Sequence, residues 1–375
     1  MFSKYSIGYP LLSAAYMGAL KLIKANRLLT HKHNFFIPNV FFFILSAYLF
    51  FLMVKKLNPE DREMSFIVGV AYLLSTSLTF YSVGWPANSF EAILLVFALY
   101  AFHRFMIDPS RRGKFLIFCG MAVGYAGLSR LFPFLAIPGF LLALMVLYYE
   151  DGLKGKLYLQ TITKKSIYFL IPCIAAVLLN YLVNYVKSGY WHTTYGLDEN
   201  FRVPFYVGFL GVMFWPAKSF IIFAPITLLS IFGFYSLYKR SKTLFVLCTY
   251  ISLLYIIMMS KWWAWMSGPE IGPRFWLPAI PFLILPIVFL RRKSFKIIAV
   301  FLVGFGVFVQ GLQYQGDPAS TWWRLIQEFP GYESTQDVQK VIHTDFTRVL
   351  KTTFIDLNYF RHYIPNNHSL LPPLR

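Results

Sequence analysis

Long apolar blocks alternate with short polar connections along this chain. Ten blocks are apparent, at roughly 35–54, 66–84, 88–104, 114–129, 132–149, 166–186, 218–238, 243–260, 274–290 and 295–313. A helix needs about 20 apolar residues to cross the hydrocarbon of a bilayer. The pattern therefore predicts an all-α, polytopic integral membrane protein with about ten transmembrane helices.

The polar connections are not equivalent. Alternate ones carry Lys55, Lys56 and Arg62; Arg104, Arg111, Arg112 and Lys114; Lys154, Lys156, Lys164 and Lys165; Lys239, Arg240 and Lys242; and Arg291, Arg292, Lys293 and Lys296. Against these 18 basic residues the opposite connections hold six: Arg130, Lys187, Arg202, Lys218, Lys261 and Arg274. An excess of Lys and Arg marks the cytoplasmic side, so the orientation is set and both ends of a ten-span chain are expected outside. Most of the net charge of +19 then reads as a topology signal and as attraction to anionic membrane lipids. Dispersed over loops and not gathered on one face, it argues against a nucleic-acid partner. Composition agrees: 57% hydrophobic and 14% charged residues lie outside the range of soluble domains.

Three regions follow. Residues 1–34 are apolar over 5–23, with Gly8 and Pro10 interrupting the run and Lys21, Lys24 and Arg27 behind it. A helix lying along the outer interface or re-entering it, with snorkelling lysines, is expected there; an ordinary first helix is the plainer reading. Residues 35–313 form the transmembrane domain. Residues 314–375 form a short extracytoplasmic tail with six acidic and six basic residues, in which Val338, Val341, Ile342, Phe346 and Val349 recur at helical spacing. Cys119, Cys173 and Cys248 all fall inside spans, with spacing that suits neither a metal nor a disulfide framework, and read as packing residues.

Charge at the outer boundary is costly and needs partners. The segment KWWAWMSGPEIGPRFWLPAIP, 261–281, is the most unusual in the chain. Its glycines and prolines forbid a continuous helix, so Arg274 and unpaired backbone N–H groups are expected to face an outer cavity beside Glu270. The plainer reading is an aromatic belt with an Arg–Glu pair. Arg suits a phosphate because its planar fork donates two parallel hydrogen bonds. Lys218, in Trp215-Pro216-Ala217-Lys218, belongs at the same outer level, as phosphate ligand or as a snorkelling lysine. Arg130 sits in a tight outer turn and either touches lipid headgroups or cradles a phosphate. Glu91, one turn into its span, pairs with a basic neighbour or acts in catalysis. His192 with Asp198 and Glu199 could hold a divalent ion, yet no His-rich spacing supports a metal, and no cofactor site is evident. Lys4 and Tyr5 lie ahead of the Gly8–Pro10 break, on the same face. Few carboxylates and several cations on one face suit an amphiphilic anion, with its tail in the bilayer and its phosphate at the boundary.

These same residues carry a family resemblance. SKYSIGYPLL at 3–12, FWPAKSFIIFAPI at 214–226 and SGPEIGPRFWLPAIPFLILP at 267–286 resemble motifs of the polytopic glycosyltransferases of the C superfamily, the group that includes the protein mannosyltransferases and the aminoarabinose lipid A transferases. Ser219 stands where that family commonly has Gly. The resemblance implies transfer of a sugar from a polyprenyl-phosphate carrier to a lipid, glycan or protein acceptor on the extracytoplasmic side of the plasma (bacterial inner) membrane, with inversion at the anomeric carbon. It further implies that Arg274 and Lys218 bind the carrier phosphate with Lys4 nearby; Arg130 joins them on topology alone. The family's acidic residue lies upstream of the SKY-like motif, after a first span. That span and loop are expected ahead of Met1, and activity is expected of a form that includes them. Within 1–375, Glu91 and Glu270 are the outer carboxylates close to spans and the catalytic candidates. A flippase or transporter of lipid-linked sugars, or an O-antigen polymerase, would use the same cationic grip.

Overall fold

The computed structural model describes residues 8–22, 31–84, 86–108, 110, 113–191, 200–215, 218–265 and 272–315. Among them the chain is all-helical, without strands. In order, the α-helices are α1 Gly8–Leu22, α2 His31–Leu57, α3 Arg62–Leu74, α4 Ser77–Gly84, α5 Pro86–Ile107, α6 Gly113–Ser129, α7 Ile137–Glu150 and α8 Gly155–Ser188. Then come α9 Phe205–Phe214, α10 Phe220–Phe223, α11 Ser230–Arg240, α12 Lys242–Lys261, α13 Ile280–Ile284 and α14 Lys293–Gln315. Short 3₁₀ turns at Phe132–Ala136, Pro225–Leu229, Arg274–Ala279 and Leu285–Phe289 lie between them.

Six stretches are long and apolar enough to cross a membrane: Ile37–Leu57, Asn88–Ile107, Phe132–Glu150, Gly155–Ser188, Lys242–Lys261 and Lys293–Gln313. The block at 66–84 is a bent pair, Arg62–Leu74 and Ser77–Val83, which meet at 41°. The remaining three expected spans differ from simple helices. The block at 114–129 is the 17-residue α6. The blocks at 218–238 and 274–290 are chains of short helical pieces. Proline explains the last two, because each one removes an N–H donor from the helical ladder: Pro225 opens one 3₁₀ turn, and Pro278, Pro281 and Pro286 interrupt the other passage. Irregular backbone at membrane depth is tolerated only inside protein. Leu277, Ala279, Ile280, Phe282, Ile284, Leu285, Ile287 and Val288 are accordingly all fully buried.

Local signals fix the helix ends. Asp61 caps α3 by accepting from the Met64 N–H at 3.1 Å, Ser241 caps α12 through the Leu244 N–H at 3.2 Å, and Gly189 closes α8 in a left-handed conformation. The centre of the bundle is α5, which is far more enclosed than α8 or α14. The exposed aliphatic and aromatic side chains of those two helices therefore face lipid. Helix α6 lies against α8 at very short range. A Cβ on Gly120 would sit 2.1 Å from the Phe169 carbonyl oxygen, and one on Gly124 would sit 2.9 Å from the Ala176 methyl. Small residues allow such backbone approach between membrane helices. Cys173 donates to the Gly120 carbonyl at this contact, and all three cysteines are buried thiols.

Contacts sort the connections into two ends. At the basic end Glu150 accepts from the Lys242 and Thr243 N–H groups, and the Asn58 amide donates to the Val288 carbonyl at 2.7 Å. Arg291 pairs with Glu60, and Lys296 with Asp61 and Glu63. At the opposite end the Val203 N–H donates to the Lys261 carbonyl, the Trp263 N–H to that of Asn200, and Gln310 to that of Phe223. Helix α1 packs against this second end. Its 15 described residues span about 22 Å. Gly8 and Pro10 lie within the described helix and do not break it. The tail beyond Gln315 lies outside the described residues.

Candidate functional site

The rim of the second end collects the sequence-predicted residues that fall among those described. Glu91 lies in the second turn of α5, 2% exposed. Its Oε1 accepts a hydrogen bond of 2.5 Å from the Tyr255 hydroxyl, which comes from α12, 164 residues away and 1% exposed. Its Oε2 lies 4.0 Å from Nε of Arg130. Helix α6 delivers that arginine: the Arg130 N–H still donates to the Ala126 carbonyl at 3.0 Å. The chain then turns at Leu131 into the proline-bearing 3₁₀ turn at Phe132–Ala136.

Arg130 keeps 17% of its side chain exposed. Its guanidinium carbon lies 5.0 Å from the centre of the Phe275 ring and 6.0 Å from that of Phe132, distances at which ring faces attract cations. The guanidinium carbon of Arg274 is also 5.0 Å from the centre of the Phe275 ring. One aromatic ring thus brings two predicted phosphate ligands together, no farther apart than twice that distance. Beside them Phe132, Leu135, Leu254, Tyr255, Met258 and Met259 line a shallow apolar notch in the surface, too tight to hold a water molecule.

Arg274 owes its place to Gly272. That glycine has φ +99°, a conformation that side chains other than glycine's rarely adopt. It lets the Arg274 N–H donate to the Gly272 carbonyl at 3.0 Å in a tight turn just ahead of the 3₁₀ turn, which opens with the Trp276 N–H donating to the Pro273 carbonyl at 2.9 Å. The same carbonyl accepts from Tyr81 at 3.4 Å. A Cβ at this position would come within 3.3 Å of both the Gln313 amide nitrogen and the Ser77 hydroxyl. Two residues after Arg274, Trp276 is buried with its ring 5.2 Å from Phe220. This contact carries the Lys218 segment onto the Arg274 turn. Lys218 closes a turn by donating its N–H to the Trp215 carbonyl at 2.8 Å, and Ser219 caps α10 through the Ile222 N–H. At 2% exposure Lys218 is enclosed in protein, not extended to the surface as a snorkelling side chain.

The structure therefore brings Glu91, Arg130 and Arg274 together and sets Lys218 one aromatic contact away. Lys4 and Glu270 lie outside the described residues, as do Tyr5, His192, Asp198 and Glu199. Among the described residues no three of His, Cys, Asp or Glu come together as metal ligands. Sequence reasoning missed Tyr255 and Phe275. Nothing in the helical run of α12 sets Tyr255 apart, whereas Phe275, adjoining Arg274 in an unusual Gly/Pro segment, was within reach of it. Chemically, the arrangement offers planar guanidinium groups over an aromatic ring, at the boundary between an apolar notch and a polar end. It suits a phosphate that carries an apolar chain.

Among solved structures, the chain is similar to the oligosaccharyltransferase of Archaeoglobus fulgidus in a crystal structure in which it is tethered through a disulfide bond to an acceptor peptide containing the NVT sequon. That match has a TM-score of 0.51 and 11% identity, and it covers 100% of this chain and 53% of the other. A second structure from that organism, its archaeal oligosaccharyltransferase in complex with an inhibitory peptide and a dolichol-phosphate, has a TM-score of 0.49 and 10% identity over 100% of this chain and 54% of that one. The chain thus spans about half the length of these structures, and at such identity the likeness is one of fold. No protein-family model matches the chain, and no curated protein matches it by sequence.

Proposed function

We propose that this chain is a membrane glycosyltransferase that moves a sugar from a polyprenyl-phosphate carrier to an acceptor on the extracytoplasmic face. The observation that carries the reading is the meeting of Arg130 and Arg274 at the Phe275 ring, beside an apolar notch and at the end opposite the basic loops. The fold shared with an archaeal oligosaccharyltransferase supports it, as does the order of the three family-like motifs.

In this mechanism the carrier's isoprenoid chain stays in lipid and its phosphate meets Arg274 and Arg130, with Lys4 as a further ligand and the enclosed Lys218 adding positive charge from behind them. An acceptor hydroxyl attacks the anomeric carbon from the face opposite the phosphate. The bond from that carbon to the phosphate oxygen breaks, and the oxygen keeps the electron pair. The acceptor's proton passes to a carboxylate. The leaving group is already a phosphate, so neutralising its growing charge matters more than protonating it. Fixed cations perform that task, which accounts for a site rich in Arg and poor in His. Glu270 is the carboxylate proposed for the proton.

A flippase is favoured by one feature, the 41° break between α3 and α4, because transporters often bind substrate at broken helices near mid-membrane. The break packs against Gly272, two residues before Arg274, so its position is compatible with either reading; the shared fold favours the transferase. Purified protein in vesicles, incubated with a panel of labelled polyprenyl-phosphate sugars and membrane acceptors, decides between them. Carrier-dependent transfer that is lost in Arg274→Ala is expected; movement of label across the vesicle without transfer would establish the flippase instead.

A further inference from the structure

Glu91 and Tyr255 have no part in the chemistry above, yet they are among the most enclosed polar groups in the bundle. Their geometry around Arg130 is one-sided. Glu91 meets the guanidinium at Nε, and the carboxylate's other oxygen is taken by the Tyr255 hydroxyl. Among the described residues, Glu91 is the one carboxylate within ion-pair distance of Arg130. The usual strong pairing of Arg with carboxylate is bidentate, through two parallel N–H donors, and here the contact is to Nε at 4.0 Å. The rings of Phe132 and Phe275 flank the guanidinium within cation–π range.

We propose that Glu91 and Tyr255 are positioning residues: together they hold the Nε edge of Arg130, so that its terminal NH₂ fork is presented toward the phosphate of an isoprenoid ligand. Tyr255 fixes the carboxylate, the carboxylate fixes the guanidinium edge, and the two rings fix the guanidinium plane. Three elements distant in sequence, α5, α6 and α12, are thereby tied to one cation. Tyr255 also lines the apolar notch, so the group that orients the cation borders the space beside it. The inference rests on the phosphate-binding reading and adds two residues that never touch the ligand. Preorganising a guanidinium in this way raises affinity by removing the cost of ordering a long side chain on binding.

The test uses farnesyl phosphate as probe and farnesol, the same chain without phosphate, as reference. Both are titrated by calorimetry into the detergent-solubilised full chain, and the quantity read is the ratio of the two affinities. Tyr255→Phe and Glu91→Asp both leave net charge unchanged, so a change in the ratio reports geometry and not charge. Each is expected to lower the preference for phosphate about tenfold, the worth of one charge-assisted hydrogen bond, with farnesol affinity unaltered. Adding Tyr255→Phe to Arg130→Gln is expected to cost nothing further, since the tyrosine acts through the arginine. A purely structural role would weaken both ligands together and leave the ratio as it was, which overturns the proposal. So does a wild-type ratio in both charge-conserving variants while Arg130→Gln loses it, or an additive double variant. If Arg130→Gln keeps the full preference, Arg130 is no phosphate ligand and the proposal falls, while Arg274 and Lys218 stand. If the wild-type chain itself shows no preference for phosphate, the phosphate-binding reading fails first and takes the proposal with it.

Discussion

Replacing Arg130 by Met probes the electrostatics of the rim most directly. Glu91 is buried at the start of α5, and Arg130 is its one cationic partner among the described residues, at 4.0 Å. Opposite unit charges at about 4 Å attract by roughly 4 kcal/mol at an effective dielectric of about 20. Arg130 is 17% exposed, so water screens part of this. A methionine also keeps apolar contact with Phe132 and Phe275. Removing one partner of a fully buried pair costs about 3–5 kcal/mol; here a loss of about 2–3 kcal/mol is expected. The assay is denaturant unfolding of the solubilised protein, followed by the fluorescence of its nine tryptophans. Adding Glu91→Gln should recover most of the loss, because the amide leaves no charge uncompensated and still accepts from Tyr255. If Arg130→Met unfolds at the wild-type midpoint, or if Glu91→Gln deepens the loss, then Glu91 and Arg130 are not an energetically coupled pair.

Two further outcomes follow from glycines. Gly272→Ala forces a side chain into φ +99° and within 3.3 Å of Gln313 and Ser77. It should cost about 1–3 kcal/mol in the same unfolding assay and weaken farnesyl phosphate more than farnesol, by displacing Arg274. Gly120→Ala places a methyl 2.1 Å from the Phe169 carbonyl oxygen, so α6 and α8 must part, with a loss of about 1–3 kcal/mol. Gly18→Ala, where a Cβ meets nothing within 4 Å, should stay within about 0.5 kcal/mol of wild type or gain slightly; equal effects at the two positions would refute the close-packing account.

Much of this architecture is legible in the sequence because two strong constraints write it there. Apolar length reports the bilayer, and the unequal basic residues report two ends; Glu60, Asp61 and Glu63 tie two of the basic connections together through Arg291 and Lys296, and Glu150 accepts from the start of α12 after a third. Apolar count alone reads 274–290 as one more lipid-facing helix. Its prolines, at 278, 281 and 286, indicate a broken passage, but not that the passage forms the core, since enclosure depends on neighbours the sequence does not order. For the site, Arg130, Arg274 and Glu91 stood out because charge is scarce at that level. Tyr255 did not: it is one of 25 tyrosines in a run with no local irregularity, and its role exists only where α12 crosses α5. Lys218 shows a different limit. Its place just before a span offered a phosphate ligand or a snorkelling side chain, and its 2% exposure is a matter of packing that the sequence does not show.

The proline-broken passage from Gly272 to Leu290 also constrains how the molecule is made. A continuous apolar helix can rest alone in lipid with its peptide groups internally satisfied; a stretch interrupted this often cannot. It has to remain sheltered, by the insertion machinery or by water, until its neighbours have formed a wall around it. Arg274 is borne on that late-docking stretch, so the cationic rim is completed only when assembly is nearly finished.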